Sequence, residues 1–116
     1  MKKDLKERLF QFATRCIKYI RKMPDTSEYK VIKYQLLKSS TSSGANYEEA
    51  QAGSSKPDFC NKVSISLKEM RETNYWLRII KEIKIDKTED EELLWLLNES
   101  VELKNILGSI VVKSKS

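Results

Sequence analysis

Ser39-Ser40-Thr41-Ser42-Ser43-Gly44-Ala45-Asn46-Tyr47-Glu48-Glu49-Ala50 is the stretch on which the fold turns. Locally it has the composition of a linker. Serine and threonine compete for backbone hydrogen bonds, and glycine costs about 1 kcal/mol in a helix interior relative to alanine. Read with its neighbours it has the spacing of a helix, because Leu36, Ser39, Ser40, Ser43, Tyr47, Ala50 and Gln51 recur on one face. The first reading splits the chain around a flexible middle. The second makes one long helix whose small residues let a neighbour approach closely. Residue pattern alone supports both.

Outward from this stretch the signals are clearer. Leu5, Leu9, Phe12, Cys16, Tyr19 and Met23, with Ala13, Ile17 and Ile20 beside them, predict an amphipathic helix over about 3–23. Pro24 should stop it, since Met23 before it is pushed out of the helical region. Asp25 and Glu28 have the spacing of a capping box, which opens a second helix over about 26–53 if the serine run is helical. Ser55, Pro57 and Asp58 mark the start of a third, over about 57–82. Its core spacing is Phe59, Val63, Ser66, Met70, Thr73, Leu77 and Ile80, with Leu67, Trp76 and Ile83 alongside. Thr88 and Glu91 form a second capping-box pattern ahead of a helix over about 88–112, whose leucines and valines cover more than one face. Four helices with short connections in 116 residues fit one all-α domain, an up-down-up-down four-helix bundle.

Composition limits the chemistry. The chain has 22 Lys and Arg against 17 Asp and Glu, a net charge of +5, and no histidine. Ser-His, Cys-His and His-metal sites are therefore excluded, and with them the di-iron bundle, which needs Glu-x-x-His. No catalytic constellation, cofactor motif or metal set is expected. Glu69 and Glu72 are spaced for a shared site, but structural hydrogen bonding between helices or subunits is the plainer role for them and for Asn46. Cys16 and Cys60 are read as reduced thiols in core positions. No apolar run approaches a membrane span, and the opening MKKDLKER has no apolar signal region, so a cytoplasmic protein is expected.

Charge is uneven. Residues 1–22 hold eight basic and two acidic side chains, whereas residues 88–116 hold three and six. Arg8, Arg15 and Lys22 repeat every seven residues, and Lys18 joins them, giving a basic ridge on the first helix. Three readings stand: a solvated face, a phosphate-binding surface, or a complement to an acidic surface such as the fourth helix of a neighbouring subunit. As a nucleic-acid surface the set is Arg8, Arg15, Lys18 and Lys22, extended by Lys33, Lys38 and Arg78 if they face the same way. No recognition helix, zinc or RNP-type signature points to sequence-specific readout.

Ser43-Gly44-Ala45-Asn46-Tyr47-Glu48-Glu49-Ala50, followed by Ser55, Asp58-Phe59, Lys62, Ile65, Lys68-Glu69, Glu72 and Tyr75-Trp76-Leu77, resembles the signature of a bacterial family. It is the four helix bundle protein family, also called the 23S rRNA-intervening-sequence-encoded proteins. The resemblance implies that the serine run lies inside the second helix. It also implies a ring-shaped homopentamer, as in the related accessory variability protein of diversity-generating retroelements. That relative pairs with a reverse transcriptase and binds nucleic acid through a basic surface. The expected function is thus a non-enzymatic oligomeric bundle binding nucleic acid, structured RNA above all, without sequence preference. The alternative is an adaptor for a polymerase-like or reverse-transcriptase-like partner. The motif residues Gly44, Asn46, Tyr47, Asp58, Phe59, Lys68, Glu69, Glu72, Tyr75 and Trp76 would hold the fold and its subunits together.

Overall fold

A computed structural model describes residues 4–53 and 55–116. Four helices follow one another: α1 (Leu5–Ile20), α2 (Ser27–Gln51), α3 (Lys56–Ile83) and α4 (Glu91–Ser114). Each packs against its two neighbours around the bundle, in an envelope of 47 × 32 × 20 Å. Leu9 faces Gly44, Ser43 faces Ser66, Asn74 meets Ser100 and Arg8 meets Glu99, so every adjacent pair runs antiparallel. The serine run is helical throughout, as the resemblance implied.

The helix ends show what the periodicity could not. The expected start of α1 at residue 3 lies outside the described residues. Asp4 caps the helix by accepting the Glu7 N–H at 2.8 Å. α1 ends at Ile20 rather than Met23. The amides of Lys22 and Met23 bond back three residues, to the Tyr19 and Ile20 carbonyls, so the chain tightens before the restriction imposed by Pro24. The capping box expected at Asp25 does not form. Thr26 holds the cap position and donates to Glu28 Oε2 at 2.7 Å, while Asp25 accepts from Lys33 Nζ at 2.6 Å. α2 stops before Gly53, whose φ of +65° supplies the left-handed residue that ends many helices.

Ser55 caps α3 as expected, accepting the Asp58 N–H at 3.2 Å, with Pro57 in the first turn. The Thr88 box is a second correction. Thr88 turns onto Asp86, whose Oδ1 accepts both its N–H and its hydroxyl. α4 starts three residues later than expected, capped by Asp90 through the Leu93 N–H at 3.0 Å. Asp25 is drawn away by Lys33, which leaves Thr26 at the cap position without a side-chain bond to the backbone, and Thr88 is drawn into the Asp86 turn, which leaves the capping to Asp90.

The core is built from the expected stripes. Leu9, Phe12 and Cys16 of α1, Leu36 of α2, Val63, Met70, Leu77 and Ile80 of α3, and Leu96, Leu103 and Leu107 of α4 are fully enclosed. The seam between α2 and α3 differs, being lined by Ser39, Ser43, Ser66 and Thr73, all fully buried. Ser43 Oγ donates to the Ser66 carbonyl at 2.8 Å and Ser66 Oγ donates to the Ser43 carbonyl at 2.6 Å. Thr73 Oγ1 lies 2.8 Å from Ser39 Oγ. Short side chains bring the backbones close, and each hydroxyl gains a partner, so no buried polar group here is left unsatisfied. Cys60, expected in the core, is only half-buried, because its position on α3 turns toward the flank.

Candidate nucleic-acid interface

The basic ridge expected on α1 is divided by the packing of α4. Arg8 forms a two-pronged bond with Glu99, Nε to Oε2 at 3.0 Å and Nη2 to Oε1 at 2.8 Å, and also reaches Glu102 at 3.1 Å. Two turns further along, Arg15 grips Glu92 through two bonds of 2.9 Å and lies over the Trp95 ring, 3.5 Å from its centroid. Hydrogen bonding to these carboxylates raises both guanidinium pKa values, against the opposing effect of burial. Arg8 and Arg15 thus complement the acidic face of the chain's own fourth helix, the third of the readings the ridge allowed, although within one molecule rather than between copies.

Beyond Arg15 the ridge is free. Lys18 and Lys22 are exposed, and Arg21 beside them is exposed as well. None of the three has a carboxylate within ion-pair distance among the described residues. They stand at the C-terminal end of α1, where the helix dipole favours positive charge. Arg21 was missed in the sequence because it falls off the heptad of Arg8, Arg15 and Lys22; only the exposed end of the helix unites it with Lys18 and Lys22.

The remaining candidates are scattered. Lys33 is held by Asp25 at 2.6 Å. Lys38 is exposed on α2, and its charge acts on Glu69 across the seam. Arg78 is exposed on α3, donating to Asn74 Oδ1 at 3.0 Å and lying 5.6 Å from the Tyr75 ring centroid. Of these three, Lys33 and Arg78 thus already engage neighbouring side chains.

The motif residues lie on α2 and α3. Gly44 brings α2 against α1: a Cβ there would sit 3.4 Å from Leu9 Cβ. Asn46, expected to bond between helices or subunits, donates within this chain to the Ser42 carbonyl and hydroxyl of its own helix, at 2.9 and 3.0 Å. Glu72 likewise accepts from Trp76 Nε1 of its own helix at 3.2 Å. Glu69 of α3 lies within the influence of the Ser42 hydroxyl of α2. Its pKa is raised, first by burial and then by the neighbouring Glu72 charge. Tyr47 and Phe59 are half-buried against the core, and Asp58 pairs with Lys62 one turn on at 2.9 Å. Tyr75 is half exposed and meets Trp76 edge-on, with centroids 5.4 Å apart, while Lys68 is exposed. The interhelical polar bonds come instead from Ser43, Ser66, Ser39 and Thr73, and from Asn74 Nδ2 to Ser100 Oγ at 2.9 Å.

No group of three or more Cys, Asp or Glu side chains among the described residues could hold a metal ion. No helix among them is long and apolar enough to cross a membrane.

Comparison with known proteins gives a consistent picture. The family model for the 23S rRNA-intervening sequence protein matches residues 2–109. Among solved structures, a protein of unknown function from the S23 ribosomal protein family of Bacteroides thetaiotaomicron is 33% identical. It superposes with a TM-score of 0.81, over 93% of this chain and 98% of that one. No curated protein matches.

Proposed function

The chain belongs to the 23S rRNA-intervening sequence protein family, and from that footing we propose that it is a non-enzymatic, oligomeric bundle that binds structured RNA without sequence preference. The observation that supports this reading is the trio Lys18, Arg21 and Lys22, exposed together and without carboxylate partners among the described residues. Lysine and arginine left unpaired on a surface bind phosphate mainly by releasing counterions, which needs no base contact. A ring of five copies would present the trio five times, and linked weak contacts multiply. Apolar side chains remain on the outside for such assembly: Phe10 on α1, and Leu94, Val101 and Val112 on α4. The same α4 stripe favours the second reading, an adaptor that docks a polymerase-like or reverse-transcriptase-like protein. Either role places the protein in the cytoplasm.

The test is fluorescence anisotropy with a labelled RNA hairpin across a range of salt concentrations. The expected result is affinity that falls steeply with salt. Joint replacement of Lys18, Arg21 and Lys22 by Gln should flatten the slope by about one for each phosphate no longer neutralised. Unchanged binding in that variant, with assembly intact by sedimentation, sinks the role given to the trio. Absence of any binding at about 50 mM salt sinks the RNA reading as a whole and leaves the adaptor.

A further inference from the structure

At the end of the bundle beside the α1 cations, the α1–α2 turn and the α3–α4 connection close over a cavity of about 490 Å³. Tyr19, Tyr29, Met23, Pro24 and Ile80 line it, with Asp86, Asp90 and Glu92 at its charged side. Cavities of this size hold small organic ligands. An adjoining depression shares Tyr19 and Lys22 with it and is bordered by Arg15 and Lys18. Two of the charges here are already matched, Arg15 with Glu92 and Lys84 with Asp90. Lys18 and Lys22 are not, among the described residues.

We propose that these joined depressions seat one unpaired nucleotide at an RNA end or loop, its base in the cavity and its phosphate on Lys18 and Lys22. The inference rests on the RNA reading above and names the part of the RNA that is held. Aromatic and aliphatic walls suit the flat faces of a base, and stacking of that kind is tolerant of sequence. The edge of the base would find hydrogen-bond partners on the same walls. Asp86 Oδ2 accepts no hydrogen bond among the described residues, and the Tyr29 hydroxyl makes none there either. A fatty-acid chain fits less well, because it would lay hydrocarbon against the carboxylates of the cavity. Inorganic phosphate would engage the lysines and leave the cavity unfilled.

The test compares a blunt RNA hairpin with the same hairpin carrying a two-nucleotide overhang that contains 2-aminopurine. The overhang should bind about tenfold more tightly, the contribution of one stacked base, and its fluorescence should be quenched on binding. Ile85 lines the cavity yet is fully exposed, so Ile85→Gln should leave the fold intact. That variant should reduce the overhang preference and the quenching while leaving blunt-hairpin binding unchanged. Met23→Gln, which puts an amide into the apolar wall on which the base would lie, should reduce both effects as well. Equal affinity for the two hairpins with no quenching overturns this inference and leaves the RNA reading standing. Overhang preference and quenching that survive both variants also overturn it. Failure of both hairpins to bind overturns both readings.

Discussion

Arg8 of α1 and Glu99 of α4 face each other across the bundle with two parallel hydrogen bonds, of 3.0 and 2.8 Å, and both side chains are largely withdrawn from water. The planar guanidinium matches the carboxylate in a way an ammonium cannot. Removing one partner strands the other charge in a half-dry site. Glu99→Ala is therefore expected to destabilise the bundle by roughly 1.5–3 kcal/mol, and Arg8→Lys to retain only part of the bonding. Denaturant unfolding of the single variants and of the double variant reads the coupling directly. Additive effects would mean that the pair contributes nothing as a pair.

Asp90 connects the caps to pH. Burial opposes its ionisation, but the Lys84 ammonium at 2.9 Å, the Leu93 N–H at 3.0 Å and the Tyr19 hydroxyl at 2.8 Å outweigh burial and lower its pKa. A carboxylate whose pKa is lower folded than unfolded contributes stability above its unfolded value, about 3.9 for aspartate. That contribution is lost as pH falls from there through the folded value. Thermal melts between neutral and acid pH should show this loss, and Asp90→Asn should make the acid limb shallower. The variant should also lose about 1–2 kcal/mol at neutral pH, through the Lys84 interaction. An acid limb of unchanged steepness in the variant would assign the loss to other groups.

Gly44 is expected to accept alanine and refuse anything larger. The added Cβ would meet Leu9 Cβ at 3.4 Å, the near edge of ordinary contact, while alanine gains about 0.5–1 kcal/mol of helix propensity. Gly44→Ala should leave the melting temperature equal or higher. Gly44→Leu should lower it, by forcing α1 and α2 apart. A strongly destabilised alanine variant would show that the two helices are closer than this spacing allows.

The two cysteines should react on different timescales. Cys16 is enclosed, and burial pushes its thiol pKa up to about 12, only partly offset by a hydrogen bond with Ser40. Cys60 is half-buried on the flank of α3. A thiol reagent applied to the folded protein should label Cys60 alone, with Cys16 following only on unfolding. Equal rates for both would contradict the packing of α1.

The helices and their core faces were legible because a heptad stripe is a local signal, which Leu9, Phe12 and Cys16 display before any neighbour is known. The caps at Thr26 and Asp90 were less so. Two or three polar residues compete at each loop, and tertiary partners decide among them, Lys33 drawing Asp25 away and Tyr19 with Lys84 fixing Asp90. The engagement of Arg8 and Arg15 needed the α1–α4 register, which no single helix contains. A trace of it was present: Glu92 and Glu99 lie seven apart, as Arg8 and Arg15 do, and antiparallel helices bring such pairs together. For the serine run, residue pattern had left the choice open and the family resemblance decided it.

The hydroxyls along the α2–α3 seam also give that hairpin a single seat, as the cuts on a key do. Sliding α2 by one turn in one direction would bring the Tyr47 ring to the place of the Ser43 hydroxyl, between backbones closed to a 2.6 Å bond. Sliding it the other way would leave Ser39 opposite Ser66 but put Gln35 where Thr73 now finds Ser39. Uniform leucine layers would tolerate either displacement. Here both are blocked, one by bulk and the other by a mismatched polar group, so the hairpin has one alignment that leaves neither fault.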